Sequence, residues 1–236
     1  MPASSDLRGP DLARFAAHFA DETRATFLIA LLDGRAWTAS ELAGLARVAP
    51  STATEHLNRL LKAGLVGERR QGRHRYVQLV DPRVAQLIED LSAQLAAPPK
   101  PAGSFRAVAV HEAMRRGRTC YDHLAGVLGV SVTDAMTRRG LLEQDRGFGL
   151  TDAGIAWLVD NLQVPASELA PGRRPVARPC LDWTERRTHL AGISGARICE
   201  RFFARGWVER IGSGRAVRVT PPGAAFLRSE LGITDP

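Results

Sequence analysis

The chain has 236 residues, of which 44% are hydrophobic and 24% are charged, a composition typical of a globular protein with one sizeable core or two small domains. No apolar run approaches the roughly 18 residues of a membrane span, no apolar segment follows a basic leader at the start, and three cysteines cannot pair completely. These features argue against a membrane protein and against a secreted disulfide framework, so we expect a cytoplasmic protein, and the net charge of +7 is informative only where it is concentrated.

Two proline-rich stretches, "AAPPKPAGS" from Ala96 and "VPASELAPGRRPVARP" from Val164, contain little periodic hydrophobicity and predict linkers. The predicted organisation is a first block over 1–95, a linker over 96–104, a second block over 105–163, a linker over 164–179 and a third block over 180–236.

Capping signals in the first block predict two helices joined by a tight turn and followed by a hairpin. Thr38 and Glu41 have the capping-box spacing at the start of a short helix. Pro50 suits the first position of the next helix, and Gly64 suits its C-terminal cap. β-prone runs on either side of Gly72 predict the hairpin, and a further amphipathic helix follows it.

The second helix of this pair has the residue types that a helix needs in order to read the major groove of DNA. Its apolar side would anchor it, and short polar side chains near its N-terminus would reach base edges. The predicted DNA-contacting residues on this helix are Ser51, Thr52, Thr54, Glu55, His56, Asn58, Arg59 and Lys62.

Basic residues are concentrated on this helix and on the hairpin. Residues 59–75 carry six cations against the single acid Glu68, although the first block as a whole is nearly neutral. The hairpin members of the set are Arg69, Arg70, Arg73 and Arg75. Such a focused set is typical of a surface that contacts DNA phosphates, whereas a solvated charged hairpin is the alternative.

Residues 10–95 resemble the ArsR/SmtB family of winged-helix repressors. The segments "FADETRATFLIALLDG", "SELAGLARVAPSTATEHLNRLLKAGLV" and "RRQGRHRYVQL" are similar, in order, to the second helix, the helix-turn-helix and the wing of that family. The resemblance implies a homodimer formed by the first helix and the helix after the wing, with paired recognition helices on a two-fold DNA operator.

The metal-binding motifs of that family are absent from this block. The chain has "ELAGLAR" where arsenic sensors have a Cys-x-Cys helix, and "DPRVAQLIEDLSAQL", without histidine, where zinc sensors have Asp and His. His56 has no second ligand nearby in sequence, so packing or phosphate contact is favoured over metal binding.

The rest of the chain contains an internal repeat. "HLAG" from His123 recurs from His189, and "RGLLE" ending at Glu143 recurs as "RGWVE" ending at Glu209, both at an offset of 66. Each copy has an "LAG" segment, which predicts a helix, and then a helix end and a β-prone turn, as in the first block. The predicted fold is therefore mainly α with short β-hairpins, an N-terminal winged helix-turn-helix followed by two degenerate winged-helix-like repeats.

The repeats are expected to have lost most of a recognition helix. Fourteen residues separate the Gly of "LAG" from the Gly that closes the next helix, whereas 20 separate Gly44 from Gly64 in the first block. Six residues of α-helix are about 9 Å long. Sensing or assembly is therefore the expected role of the repeats.

The repeats also duplicate a cysteine and a histidine. Cys120 and His123 would share one face of a helix, and a site for a soft or borderline metal could be completed, if the copies pack together, by Cys180, Asp182, His189 and Cys199. The alternative is that a duplicated unit repeats its packing and capping residues. The cofactor is thus a metal ion or none. A set of aromatic residues forms either core or the lining of a pocket for a small effector, namely Trp157, Trp183, Trp207, Phe202 and Phe203.

The sequence predicts a regulator that binds a double-stranded DNA operator as a homodimer. The main hypothesis is an effector-responsive repressor. One alternative is a regulator whose repeats serve only for assembly. A second is a Cys/His-dependent enzyme, which the absence of nucleotide-binding, nucleophile-elbow and zinc-protease motifs disfavours, so we expect no enzymatic activity.

Overall fold

A computed structural model of the chain describes residues 8–72, 74–95, 105–145, 147–170, 172–212 and 214–235. It is mainly α-helical with short antiparallel strand pairs, as predicted. The chain divides into two compact units, Met1–Ile88 and Glu89–Pro236. No helix among the described residues combines the length and the hydropathy that crossing a membrane requires.

The N-terminal unit is a winged helix-turn-helix. Its elements, with the helix that ends the unit, are α1 (Gly9–Ala16), α2 (Glu22–Leu31), β1 (Trp37–Thr38), α3 (Ala39–Ala46), α4 (Pro50–Lys62), β2 (Val66–Gln71), β3 (His74–Leu79) and α5 (Pro82–Gln94). The strands form one antiparallel sheet in the order β1-β3-β2, in which β2 and β3 are the wing.

The predicted capping signals of this unit are present. The Thr38 side chain accepts a hydrogen bond from the Glu41 amide, and the Glu41 carboxylate accepts one from the Thr38 amide. Pro50 opens α4, and Gly64 follows it with a φ of 69° that suits a residue without a side chain. The inward face of α4 is buried through Leu57 and Leu60, so the helix is fixed with its polar face outward.

The C-terminal unit contains the two repeats. Its elements from residue 105 onward are α6 (Phe105–Arg116), β4 (Arg118–Cys120), β5 (His123–Ala125), α7 (Gly126–Arg138), β6 (Leu142–Glu143), β7 (Gly149–Leu150), α8 (Asp152–Leu162), a 3₁₀ helix (Ala166–Leu169), β8 (Arg178–Leu181), β9 (Thr188–Ala191), α9 (Gly192–Ala204), β10 (Val208–Arg210), β11 (Val217–Val219) and α10 (Pro221–Leu231). One hydrophobic core is shared by both repeats.

Each repeat has the order hairpin, helix, hairpin, helix, and equivalent residues make equivalent contacts. Thr151 and Thr220 both cap the final helix of their repeat, and each hydroxyl also donates to a glycine carbonyl, of Gly140 and Gly206 respectively. This agreement between corresponding residues supports the duplication seen in the sequence.

The helix predicted for "CYDHLAG" is wrong, because this segment is the β4–β5 hairpin. Cys120 pairs with His123 across the hairpin, and Tyr121 in the turn has a φ of 57°. Gly126 and Gly192 have φ values of 73° and 88°, which end the strands and place the helix start after them. The expected helix pair in each repeat is consequently one 13-residue helix, α7 or α9.

The two predicted linkers differ in what the structure describes. Residues 96–104 lie outside the described residues. Residues 164–179 contain the 3₁₀ helix and the start of β8, and Val164 and Leu169 are buried in the shared core. This stretch is therefore a packed connection within one unit. Its two buried residues do not follow a helical or strand periodicity, because prolines and glycines lie around them, so the sequence pattern does not reveal them. The four domain boundaries remain a prediction.

Candidate functional site

The outward face of α4 has the polar residues that were predicted to contact DNA. Thr52 and Thr54 are half-buried, and the Thr54 hydroxyl donates to the Pro50 carbonyl at 2.9 Å. Arg59 pairs with Glu55 at 2.5 Å along the helix. The exposed residues on this face are Ser51, Glu55, Asn58, Arg59 and Lys62. The face is thus hydrophilic along its whole length and opposite the buried side of the helix.

The wing is attached to α4 by one of its arginines. The Arg75 guanidinium donates to the Asn58 side-chain oxygen at 3.1 Å and pairs with Glu68 at 2.5 Å. Arg70 lies directly opposite Arg75 in the register of the hairpin, so both lie on one face, and Arg69 lies on the other. Arg69 and Arg70 are exposed, and Arg73 lies outside the described residues. The basic side chains therefore flank both sides of the wing.

His56 belongs to the inner edge of α4. Its Nδ1 lies 3.4 Å from the Asp21 carboxylate and 3.5 Å from the Arg24 guanidinium, both at the start of α2. The Arg24 amide, which donates to Asp21, is the largest of the influences that lower the pKa of that carboxyl. This placement favours the packing role of His56 over a contact with DNA.

A second candidate site lies in the C-terminal unit, where the structure brings the duplicated cysteines and histidines together. Cys120 pairs with His123 across the β4–β5 hairpin, and Cys180 pairs with His189 across the β8–β9 hairpin. All four side chains are at most 2% exposed, and one ligand atom from each lies within 4.8 Å of the others. We call these four residues the Cys/His cluster.

Like atoms of the two repeats lie close together in the Cys/His cluster. The Sγ atoms of Cys120 and Cys180 are 3.8 Å apart. The Nε2 atoms of His123 and His189 are 3.1 Å apart, and the two imidazole rings are stacked with centroids 5.0 Å apart. Each repeat thus contributes one sulfur and one nitrogen to a common point.

Both imidazoles have a carboxylate on the other side of the ring. The Nδ1 of His123 donates to Asp122 at 3.2 Å, and the Nδ1 of His189 lies 3.5 Å from Asp182. Arg174 pairs with Asp122 at 2.7 Å, and Arg118 pairs with Asp182 at 3.0 Å. A carboxylate thus lies on the Nδ1 side of each ring, and the Nε2 atoms of both rings face the cluster.

Asp182 is the most heavily bonded residue around the cluster. It is fully buried and accepts hydrogen bonds from the amides of Gly126, Thr184 and Glu185. Its partner Arg118 is also fully buried and stacks over the Trp183 ring at 4.5 Å. Because Gly126 is in the first repeat and Asp182 in the second, this carboxylate joins the two repeats.

Two glycines let the repeats approach each other at the cluster. A Cβ on Gly129 would lie 3.6 Å from the Cβ of His189, and a Cβ on Gly195 would lie 3.2 Å from the Cβ of His123. The same added atoms would lie 2.3 and 2.4 Å from the carbonyl oxygens of the hairpin that precedes each glycine. The hairpin of each repeat packs on the helix of the other, so the contact is reciprocal.

The electrostatics of the cluster and its surroundings differ from one residue to the next. Burial would lower the pKa of His123, but hydrogen bonds with Asp122 and Cys180 raise it to about 9. A hydrogen bond from Cys120 lowers the pKa of Cys180, whereas burial raises that of Cys120. Burial opposes ionisation of Asp182, yet Arg118 and the other partners lower its pKa.

The third cysteine does not join the cluster. Cys199 is buried in the hydrophobic core of the unit, and burial raises its pKa to about 12. At the offset of 66 it corresponds to Thr133, whose hydroxyl accepts a hydrogen bond from the Leu190 amide. Cys199 is therefore a small core residue.

The aromatic residues of this unit pack against each other. Trp207 stacks on Phe226 with ring centroids 3.7 Å apart, and Phe202 packs edge-on against both. A cavity of about 520 Å³ lies beside the cluster and is lined by polar and apolar residues, among them Arg174, Tyr121 and Phe203. Trp207, Phe226 and Phe202 are therefore packed together, whereas Phe203 lines the cavity.

Sequence reasoning identified the four members of the cluster but missed Arg118 and Arg174. Nothing in the local pattern indicates that these arginines are bonded, because their partners lie 64 and 52 residues away along the chain. The duplicated Asp122 and Asp182 were the available signal, since a second carboxylate in register suggests a shared role.

Comparison with known proteins gives two kinds of similarity. A family model described as a helix-turn-helix domain matches residues 19–69. The chain is also 36% identical over 225 residues to the protein described as "Uncharacterized HTH-type transcriptional regulator YdfF" from Bacillus subtilis (strain 168), and the match covers 95% of this chain and 98% of that one.

Solved structures match only part of the chain. HlyU from Vibrio cholerae N16961 is 26% identical, with 36% of this chain and 92% of that chain covered and a TM-score of 0.34. The homodimeric winged helix-turn-helix domain of Mb0332 from Mycobacterium bovis is 26% identical, with coverages of 39% and 86% and a TM-score of 0.33. The cadmium sensor CMTR from Mycobacterium tuberculosis is 28% identical, with coverages of 40% and 99% and a TM-score of 0.30.

Proposed function

Because the chain belongs to the family of helix-turn-helix transcriptional regulators that includes YdfF, we propose that it is an effector-responsive repressor that binds an inverted-repeat operator as a homodimer in the cytoplasm. The observation that carries the proposal is the outward face of α4 beside a basic wing. Thr52 and Thr54 are at the end of α4 that would enter the major groove, and Arg69 and Arg70 are exposed on the wing.

The proposed groove contact depends on the connection between α4 and the wing. Arg75 holds Asn58 on α4 and Glu68 on β2, so the helix and the hairpin present a single surface. Phosphate contacts from both elements would fix the register of the helix in the groove, and the threonines would then select bases. Arg75 is the residue that we assign to this positioning.

The proposed homodimer is supported by apolar residues that are left exposed on α1 and on the helix after the wing. α1 has no buried residue, and its Leu12 and Phe15 are 68% and 38% exposed. The helix after the wing also exposes Leu91, at 46%. Burial of such side chains against a second copy would remove apolar area from water, and a two-fold dimer would place two recognition helices on two half-sites.

The proposed effector response rests on the second unit. A duplicated half with a buried Cys/His cluster and an adjoining cavity lies outside the proposed groove contact, so it is available to bias the dimer between DNA-competent and incompetent geometries. An assembly role without an effector is the competing proposal. Glu200→Gln in the wall of the cavity leaves the cluster intact and distinguishes them, since only an effector response would change induction in cells.

The experiment for the proposed function is a gel shift on the DNA upstream of the protein's own gene, with the mass of the complex measured by light scattering. Two chains per operator are expected, with weaker binding when one half-site is scrambled. Metals, oxidants and a chelator are added in parallel arms to find the effector. A complex with one chain per operator, or an affinity that does not change when one half-site is scrambled, would overturn the proposal.

A further inference from the structure

We infer that the Cys/His cluster is the site of one tetrahedral Zn²⁺ ion, bound by the Sγ atoms of Cys120 and Cys180 and the Nε2 atoms of His123 and His189, and that this ion fastens the two repeats together. The inference rests on the geometry of the second unit and is independent of how the first unit binds DNA. No residue of the winged helix-turn-helix takes part in it.

The distances fit a zinc ion at the centre of the cluster. Zinc binds thiolate sulfur at about 2.3 Å and imidazole nitrogen at about 2.0–2.1 Å, so a regular tetrahedron would separate two sulfurs by about 3.8 Å and two nitrogens by about 3.3 Å. The observed separations are 3.8 Å between the Sγ atoms and 3.1 Å between the Nε2 atoms. The sulfur–nitrogen distances, which are all within 4.8 Å, would have to close to about 3.6 Å when the ion binds.

The surroundings of the histidines also suit a cation between them. The Nδ1 of His123 is hydrogen-bonded to Asp122, and the Nδ1 of His189 lies 3.5 Å from Asp182, so a carboxylate lies on the Nδ1 side of each ring. The two Nε2 atoms are 3.1 Å apart, and a metal ion bound by both would replace the hydrogen bond that joins them. A carboxylate behind each metal-binding imidazole is the usual outer shell of such a site.

The donor set selects the metal and the kind of site. Two thiolates and two imidazoles in a tetrahedron suit zinc and exclude the hard cations that prefer oxygen ligands. Four protein ligands complete the coordination, and none is more than 2% exposed, so no position remains for water or substrate. Zinc sites with four protein ligands and no open position are structural, so this would be a structural zinc site and not a catalytic one.

The symmetry of the site shows what the ion would fasten. Each repeat supplies one cysteine and one histidine from its first hairpin, and Gly129 and Gly195 allow each histidine to lie against the helix of the other repeat. A single repeat would offer only two ligands. The site therefore exists only when the repeats are packed together, and zinc binding would stabilise that packing.

A disulfide between Cys120 and Cys180 is the main competitor for the same atoms. Their Sγ separation of 3.8 Å is that of two ligands of one metal, whereas a disulfide requires about 2.05 Å. The geometry thus favours the metal over the disulfide.

The test is metal analysis of the full-length protein, purified under reducing conditions in the presence of zinc and then passed over a desalting column. One zinc per chain is expected. In the cobalt-substituted protein we expect the visible absorption of tetrahedral Co²⁺ and a thiolate-to-cobalt charge-transfer band. Absence of zinc from the folded protein, cobalt without the thiolate band, or a Cys120–Cys180 disulfide in freshly purified protein would overturn the inference.

Single substitutions assign the ligands. Cys120→Ala and His189→Ala are expected to lose the metal, and Cys199→Ala is the matched control, because Cys199 is an equally buried cysteine outside the cluster. Asp122→Asn is expected to weaken zinc binding by about 10–100-fold in competition with a chelator while stoichiometry is kept at saturation. Equal zinc content in Cys120→Ala and Cys199→Ala would contradict the assignment. If a variant does not fold, the cobalt spectrum of the unaltered protein is the measurement that decides.

Discussion

The two units differ in where they keep their polar residues. In the first unit the candidate functional side chains are exposed or half-buried on α4 and the wing, and together they form one surface. In the second unit they are buried, and Asp182, Arg118 and the Cys/His cluster depend on one another across two repeats. Substitutions should therefore change binding but not folding in the first unit, and folding in the second.

The largest effect is expected where a buried charge loses its partner. Asp182→Ala leaves the buried Arg118 guanidinium unpaired and removes acceptors from three amides, so we expect a loss of about 3–5 kcal/mol in the free energy of unfolding. Asp134→Ala, which breaks an exposed pair with Arg187, should cost no more than about 1 kcal/mol. Urea denaturation measures both, and equal losses would show that the network around Asp182 is not coupled.

The next effect is steric and tests the reciprocal packing of the repeats. Gly129→Ala and Gly195→Ala each place a Cβ 2.3–2.4 Å from a backbone oxygen, so the helix must shift, at a cost of about 1–3 kcal/mol. Gly44→Ala in α3 is the control, since nothing lies within 4 Å of its added Cβ. Thermal unfolding of the three variants should lower the Tm only for the first two. A lower Tm for Gly44→Ala alone would contradict the packing.

Base selection should be separable from stability in the first unit. Thr52→Ala and Thr54→Ala are expected to change the preference at particular base pairs by about 1–3 kcal/mol while the free energy of unfolding hardly changes. Selection of operator variants from a randomised pool gives the preference, and Ser229→Ala on α10 is a hydroxyl control in the other unit. If both threonine variants keep the base-pair preferences of the unaltered protein, the placement of α4 in the major groove is wrong.

The smallest effect concerns pH and the cap of α3. The Thr38 amide lowers the pKa of Glu41 below its usual 4.5, so this carboxylate stabilises the fold above that pH and the contribution is lost as the pH falls through the lowered pKa. Glu41→Gln removes the titration and keeps an acceptor. Urea midpoints of the two proteins should therefore converge on acidification, and a constant difference would contradict the cap.

The part of the fold that depends on local signals could be predicted from the sequence. The capping box, Pro50 and Gly64 act within a few residues of the chain, and the helix-turn-helix and wing follow from them. The hairpin at Cys120 could not be predicted in this way, because a spacing of three residues suits a helical face as well as a tight turn. What decides it is the packing of the hairpin on the other repeat.

The candidate sites were predictable to different extents for the same reason. Exposed residues of α4 can be identified from helical periodicity. The packing of His56 against the start of α2, in contrast, depends on a tertiary contact with Asp21. The duplication allowed two interpretations of the paired cysteines and histidines, a shared metal site or repeated packing residues, and only the first predicts that the four side chains come together. The buried arginines around it left no local signal.

The most direct test of DNA recognition by the first unit is the salt dependence of operator binding for Arg69→Ala/Arg70→Ala, measured by fluorescence anisotropy. Loss of both exposed wing cations removes four cations from a homodimer, so it should weaken binding to all sequences and reduce the slope of log affinity against log salt by about 2–4, with Arg228→Ala on α10 unchanged. A slope and an affinity identical to those of the unaltered protein would contradict the account.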